Sequence, residues 1–261
     1  MKAFAHIAAV ISLPIFIGAA GCDAQLHVDP FPVAGHKCGL RSDQARSFLP
    51  PVKSFPIRVV FDRGFDRDDR AKLNVAIDRW NAFGEKSLGV KFFEAEAPEA
   101  AIDMSAMPFA THYCKASVKR EKGLVLVKVT SERRWRGGED KEKAGAVTIR
   151  CTTGGDGAAP EMSVAFNVSQ GREDALLAEA LHELGHVLGL GHSCANEEKR
   201  VSKNYRACSD LGDEDPYRIA IMYPELEVHG TYGRVSPDRE ILHANDMERV
   251  YCLYSRLVSP K

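Results

Sequence analysis

The sequence lacks an excess of either charge: 35 Lys and Arg stand against 36 Asp and Glu in 261 residues, a net charge of −1. With no long block of one sign, nothing in it supplies the attraction that non-specific nucleic-acid binding needs, and no nucleic-acid partner is expected. It has no internal repeat and no second hydrophobic core, so one domain suffices. It has no Cys-x-x-Cys pair, which removes zinc knuckles and thioredoxin-like redox sites. Nor does it contain an unbroken apolar run of the roughly 20 residues that cross a bilayer. The best stretch, Ile7 to Ile17, is interrupted by Ser12 and Pro14. What remains, at 44% hydrophobic and 27% charged, is a globular composition too apolar for disorder.

What the sequence does have is seven Cys, an odd number. In a chain with a secretory start this leaves one thiol over. The start itself accounts for it. Lys2, the apolar Ile7 to Ile17 and the small residues from Gly18 to Gly21 read as a signal peptide over residues 1–21. Its end, Ala19-Ala20-Gly21-Cys22, resembles a bacterial lipobox, with Ala19 where Leu is usual. The resemblance implies lipidation of Cys22 and a membrane anchor in the bacterial cell envelope, on the periplasmic or outer face; plain secretion is the other outcome. Both place the chain in an oxidising compartment, where the six other Cys are expected to form three disulfides. The preferred pairings are Cys194 with Cys208, which flank one polar insertion, Cys114 with Cys151, and Cys38 with Cys252.

Residues 22–54 are rich in Pro, Gly and polar side chains and read as a tether and lead-in to a domain spanning 55–261. Strands are expected at Pro56–Phe61, Gly89–Glu94, Gly123–Thr130, Ala146–Cys151 and Met162–Val168. Leu73, Ala76, Ile77, Trp80 and Phe83 recur at helical spacing within Asp66–Phe83, so a helix follows the first strand. A long helix is expected over Arg172–Leu190 and a last one over Ala244–Arg256, with Met247, Val250, Tyr251 and Tyr254 buried. Strands first and a helix returning across them give an α+β fold with an α/β-type N-terminal subdomain. Residues 194–216 are polar and aperiodic, an insertion closed by a disulfide. The charged runs Lys115–Lys122 and Arg133–Lys143 read as solvated loops.

The informative segment runs from His182 to His192, His-Glu-Leu-Gly-His-Val-Leu-Gly-Leu-Gly-His. Two His four residues apart on a helix differ by about 40° of rotation, so His182 and His186 project from one face and can share a metal ion. Glu183 lies beside the first ligand, where its carboxylate can reach a metal-held water without itself coordinating. Gly189 lets the chain leave the helix through a left-handed turn, and His192 can swing back as third ligand. Three neutral imidazoles leave a fourth tetrahedral position open, as in catalytic rather than structural zinc sites. Glu183 as general base and one catalytic Zn2+ then give peptide hydrolysis.

At these residues the chain resembles the metzincin clan of zinc endopeptidases, and within it the matrixin (matrix metalloproteinase-like) branch. The resemblance covers roughly Pro56 to Tyr254. It implies a twisted, mostly parallel five-stranded sheet with an antiparallel edge strand, a long zinc-binding helix, and a small C-terminal subdomain with a Met-turn and a final helix. Ile221-Met222-Tyr223-Pro224 is similar to the matrixin Met-turn, with Met222 beneath the ligands. Pro224 stands where some relatives carry a zinc-reaching Tyr, so no tyrosine ligand is implied. Asp246, in the last helix, would anchor that turn. A protein or peptide substrate would lie antiparallel to an edge strand within Ala146–Arg150. The side chain after the scissile bond would enter a pocket walled by the segment after Met222, with Tyr223, Pro224 and Leu226 as candidates.

Two departures from the branch stand out. The insertion lengthens the connection between His192 and Met222, and should sit at the cleft rim and affect substrate choice. Cys38, in Lys37-Cys38-Gly39, is only faintly similar to the matrixin cysteine switch, since flanking residues and the spacing to Asp43 do not match. Two other readings stay open: a zinc-containing envelope-binding domain without turnover, and a structural site whose open position is filled by Cys38. Calcium is common in matrixins; Asp156, Glu161, Asp213, Glu214 and Asp215 are acidic candidates, but no calcium-binding motif supports a site. The expected state is a monomer.

Overall fold

The computed structural model describes residues 49–107, 113–114, 121–135, 145–151, 161–168, 172–195, 207–224, 228–229, 234–235 and 237–258. In chain order the elements are β1 (Ile57–Phe61), α1 (Arg67–Leu88), β2 (Phe93–Ala95), β3 (Gly123–Val129), α2 (Glu132–Trp135), β4 (Ala146–Arg150), β5 (Glu161–Asn167), α3 (Leu176–Val187), α4 (Pro216–Ile219), β6 (Val228–His229), β7 (Arg234–Val235) and α5 (Ala244–Val258). One five-stranded sheet has the order β2-β1-β3-β5-β4, and β6 and β7 form a separate ribbon. β2, β1, β3 and β5 are parallel neighbours, while β4 runs antiparallel to β5 at the edge. The expected mostly parallel sheet with an antiparallel edge strand is present.

Period-2 alternation divides the sheet into two buried faces. Ile57, Val59, Phe61, Leu124, Leu126, Met162, Val164 and Phe166 pack with α1, α3 and α5 in the main core. Val125, Val127, Val129 and Ala165 point the other way, against Met104, Met107, Tyr113 and Trp135. Trp135 is buried there, so the charged run expected as a loop from Arg133 begins instead as a short helix with an apolar anchor.

The first helix starts where expected because Asp66 caps it: its carboxylate accepts from the N–H groups of Asp68 and Asp69, and Asp69 returns a bond to Asp66 N. It runs five residues past the expected Phe83. Gly84 does not end it, since this glycine answers a close approach, with a Cβ there meeting the Val90 carbonyl and the Phe92 ring. Gly89, at φ +67°, is the true C-cap. Residues 89–92 are therefore used in leaving the helix, and the second strand begins at Phe93, held by Asn81, whose side chain bonds both its N–H and its C=O. The expected long helix likewise divides into a 3₁₀ turn, Arg172–Ala175, followed by α3. Trp80 Nε1 donates to Leu181 O at 3.1 Å and fixes α1 against α3.

Contacts with the domain begin before Phe55. Val52 is buried, its N–H donates to Tyr254 Oη, and Leu49 N donates to Gly189 O. Two disulfides, Cys114–Cys151 and Cys194–Cys208, match the expected pairings. Cys38, the expected partner of Cys252, lies outside the described residues, as does the lipidation candidate Cys22. Among the described residues no helix is long and apolar enough to cross a membrane.

Candidate metal centre

α3 presents His182, Glu183 and His186 on its last two turns, and its exit supplies His192. Leu188 N bonds Leu184 O, Leu190 N bonds Gly185 O, and Gly189 takes φ +97°. That positive φ turns the backbone back on itself, a conformation a side chain would oppose. The three imidazoles converge, with ring centroids 4.7, 4.9 and 5.3 Å apart. Their ligand atoms lie within 4.8 Å of one another, and among the described residues they are the one group of this kind.

The hydrogen bonds decide which nitrogen each ring offers. His182 Nδ1 lies 2.7 Å from Ile221 O, and His186 Nδ1 lies 2.7 Å from Leu190 O. A carbonyl only accepts, so Nδ1 carries the proton in both rings and the Nε2 lone pair remains for a metal. Burial holds the pKa of His182 well below the usual 6.5, with the neighbouring His186 and His192 and the Arg239 cation acting in the same direction. A neutral, buried, oriented imidazole is what a borderline-soft divalent ion requires. The donor set thus fits zinc, with His182, His186 and His192 as the residues that would hold it.

Met222 is fully buried, and a Cβ on Gly185 would collide with its sulfur. Asp246, also fully buried, accepts from Ile221 N at 2.9 Å and Met222 N at 3.2 Å, and from His243 N at 3.2 Å. Burial pushes its carboxyl upward, against the backbone donors and Arg249. Ser193, directly after the third ligand, donates through its N–H to Met222 O.

Tyr223, expected at the pocket, is 5% exposed and packs against Cys194, Cys208, Leu211 and Tyr217. The guanidinium groups of Arg218 and Arg239 lie over its ring at 5.9 and 5.2 Å. Of the two described pocket candidates, Tyr223 is the one turned into the interior. Pro224 is half-buried beside it, and Leu226 lies outside the described residues. Among the acidic calcium candidates, Asp215 caps α4 by accepting from Tyr217 N, and Asp213 faces Arg218; Asp156 lies outside the described residues.

Sequence reasoning missed the polar roles of three residues. Arg249 is fully buried and donates to Gly191 O at 2.9 Å, beside the third ligand. Tyr254 Oη donates to Leu188 O at 2.6 Å while accepting from Val52 N. Thr148, on the edge strand, contacts the Glu183 carboxylate. No spacing rule flags an isolated Thr, Arg or Tyr; the signal for Tyr254 was only its place on the apolar stripe of the last helix.

No protein-family model and no curated protein matches the chain. Among solved structures, that of myroilysin is similar at 13% sequence identity and a TM-score of 0.37, covering 77% of this chain and 95% of the other. A likeness that distant says nothing of activity.

Proposed function

We propose that the chain is a zinc-dependent endopeptidase. The observation that carries this reading is the pairing of two oriented Nδ1–H groups with a carboxylate, Glu183, on the same two turns of helix. A purely structural site would have no use for an acid beside three ligands that already leave a position open. When bound, zinc acidifies a water to a pKa of about 7 and polarises a carbonyl. Glu183 would take the proton from that water and pass it to the leaving amine. β4 would receive an extended peptide along its outer edge, through main-chain hydrogen bonds. The segment after Met222, Tyr223 to Val228, would wall the pocket for the following side chain, with Pro224 and Leu226 as its candidates now that Tyr223 is turned inward. Lipidation at Cys22 and a place in the cell envelope belong to the same proposal and are supported by the Ala19–Cys22 motif.

The test is Glu183→Gln, which should keep zinc at one ion per chain and lose cleavage of a denatured protein or peptide library. Full activity in that variant would remove Glu183 as the base. Zinc binding by the natural sequence without cleavage of any peptide would instead favour a binding domain.

A further inference from the structure

We infer that Thr148 is a positioning residue for Glu183, one that ties the general base to the strand on which a peptide would lie; the inference rests on the peptidase reading above. Along β4, Val147 and Ile149 point into the second core with Met107 and Trp135, while Ala146 packs on the main core. Period 2 therefore turns Thr148 toward α3, and Arg150 as well. Thr148 Oγ1 lies 2.5 Å from Glu183 Oε2 and 3.2 Å from the backbone carbonyl of the same residue. Both neighbours are acceptors when the carboxylate is ionised, and a hydroxyl has one proton to give. The shorter distance assigns that proton to the carboxylate, a charge-assisted bond of the stronger kind.

Two consequences follow for the chemistry. One carboxylate oxygen, Oε2, is tied to the strand, which fixes the plane in which the carboxylate faces the His group. The base also cannot turn about its own side chain without breaking this bond, and Glu183 is only 6% exposed. Thr148 is the central residue of the five-residue edge strand, paired with Val164 on its inner side. A peptide aligned along the outer side is thus indexed to the base through a single side chain. Proton transfer is sensitive to ångström-scale misplacement, so the loss should appear in turnover rather than in binding.

The experiment compares Thr148→Val, which keeps shape and removes the hydroxyl, with Thr148→Ser, which keeps the hydroxyl. Thr148→Val should lower kcat by about 10- to 100-fold with KM changed less than about threefold, and with zinc content unchanged. Thr148→Ser should recover kcat to within about threefold of the natural enzyme. A second readout needs neither zinc nor turnover. In the metal-free protein, the thermal midpoints of Thr148→Val, Glu183→Ala and the double variant should be non-additive, because removing either partner forfeits the same bond. Unchanged kcat in Thr148→Val, a defect carried by KM, no recovery by Ser, or additive midpoints would each overturn the inference while leaving an active enzyme. A natural protein that holds zinc but cleaves nothing would overturn the peptidase reading itself, and Thr148's role with it.

Discussion

Gly185 and Met222 meet with no room between them: a Cβ at position 185 would fall on the Met222 sulfur, and the Trp80 ring closes the site from the side at 3.5 Å. Gly185 sits between His182 and His186, so the sulfur packs against bare helix backbone beside the His group. In a helix, Gly→Ala ordinarily gains about 1 kcal/mol. Here overpacking costs about 1–3 kcal/mol and acts on the turn that carries both ligands. Gly185→Ala should therefore destabilise the protein and weaken zinc binding, as read by denaturant unfolding and zinc titration. A stabilised variant with unchanged zinc affinity would contradict the contact.

Asp246→Ala leaves three backbone N–H groups, those of Ile221, Met222 and His243, without their acceptor. Stranding buried donors costs about 1–3 kcal/mol each. With two of the three donors, Ile221 N and Met222 N, buried, a loss of at least about 2 kcal/mol is expected in urea unfolding, together with a lower zinc affinity because Ile221 O orients His182.

Tyr254→Phe keeps the ring and removes one hydroxyl that serves both Val52 N and Leu188 O. The expected cost is about 1–3 kcal/mol. Burial pushes the phenol up to about 12, so in the natural protein this side chain should not ionise in a spectrophotometric titration until the fold is lost.

Reduction of the Cys194–Cys208 bridge, which spans 14 residues, should cost about 2–4 kcal/mol. Because Cys194 lies two residues after His192 and is fully buried, the bridge also braces the third ligand. Paired Cys194→Ala and Cys208→Ala changes should lower zinc affinity more than thermal stability alone explains. Isothermal titration at a temperature well below unfolding separates the two effects.

The metal-free protein should lose stability as pH falls below about 6.5. Burial depresses the folded-state pKa of His182, whereas the unfolded chain takes up its proton near the ordinary value. Between the two, the unfolded state binds more protons, so stability rises with pH by up to about 1.4 kcal/mol per unit and falls on acidification. Urea midpoints across this range, in the natural protein and in His182→Gln, isolate the contribution; an unchanged slope in the variant would contradict it.

The individual strands and the helical part of the His group could be anticipated because periodicity and spacing are local, while the order and direction of the strands were implied only by the family resemblance. Leu73, Ala76, Ile77, Trp80 and Phe83 mark a helix face wherever it packs, and the four-residue spacing of His182 and His186 puts both on one helix face whatever surrounds them. The continuation of the first helix through Gly84 to its cap at Gly89 could not, since a helical glycine that admits the Phe92 ring looks the same in sequence as one that stops a helix. Thr148, Arg249 and Tyr254 were hidden for a related reason. Each acts across 35 to 66 residues of chain on a backbone or carboxylate group, and no periodicity encodes such a distance.

The short run from Leu49 to Val52 crosses the exit of the metal-bearing helix. Leu49 N bonds Gly189 O, Pro50 O accepts from Arg150 Nη2 at 2.6 Å, and Val52 N reaches Tyr254. Gly189 has no space for a side chain beneath it, because a Cβ there would press on Leu49 O and Leu253. For protein engineering this fixes where the domain can be cut. A version starting at the first strand would keep every residue of the sheet yet strip the metal loop and the edge strand of their shared brace, so tags, fusions and protease sites belong upstream of Leu49.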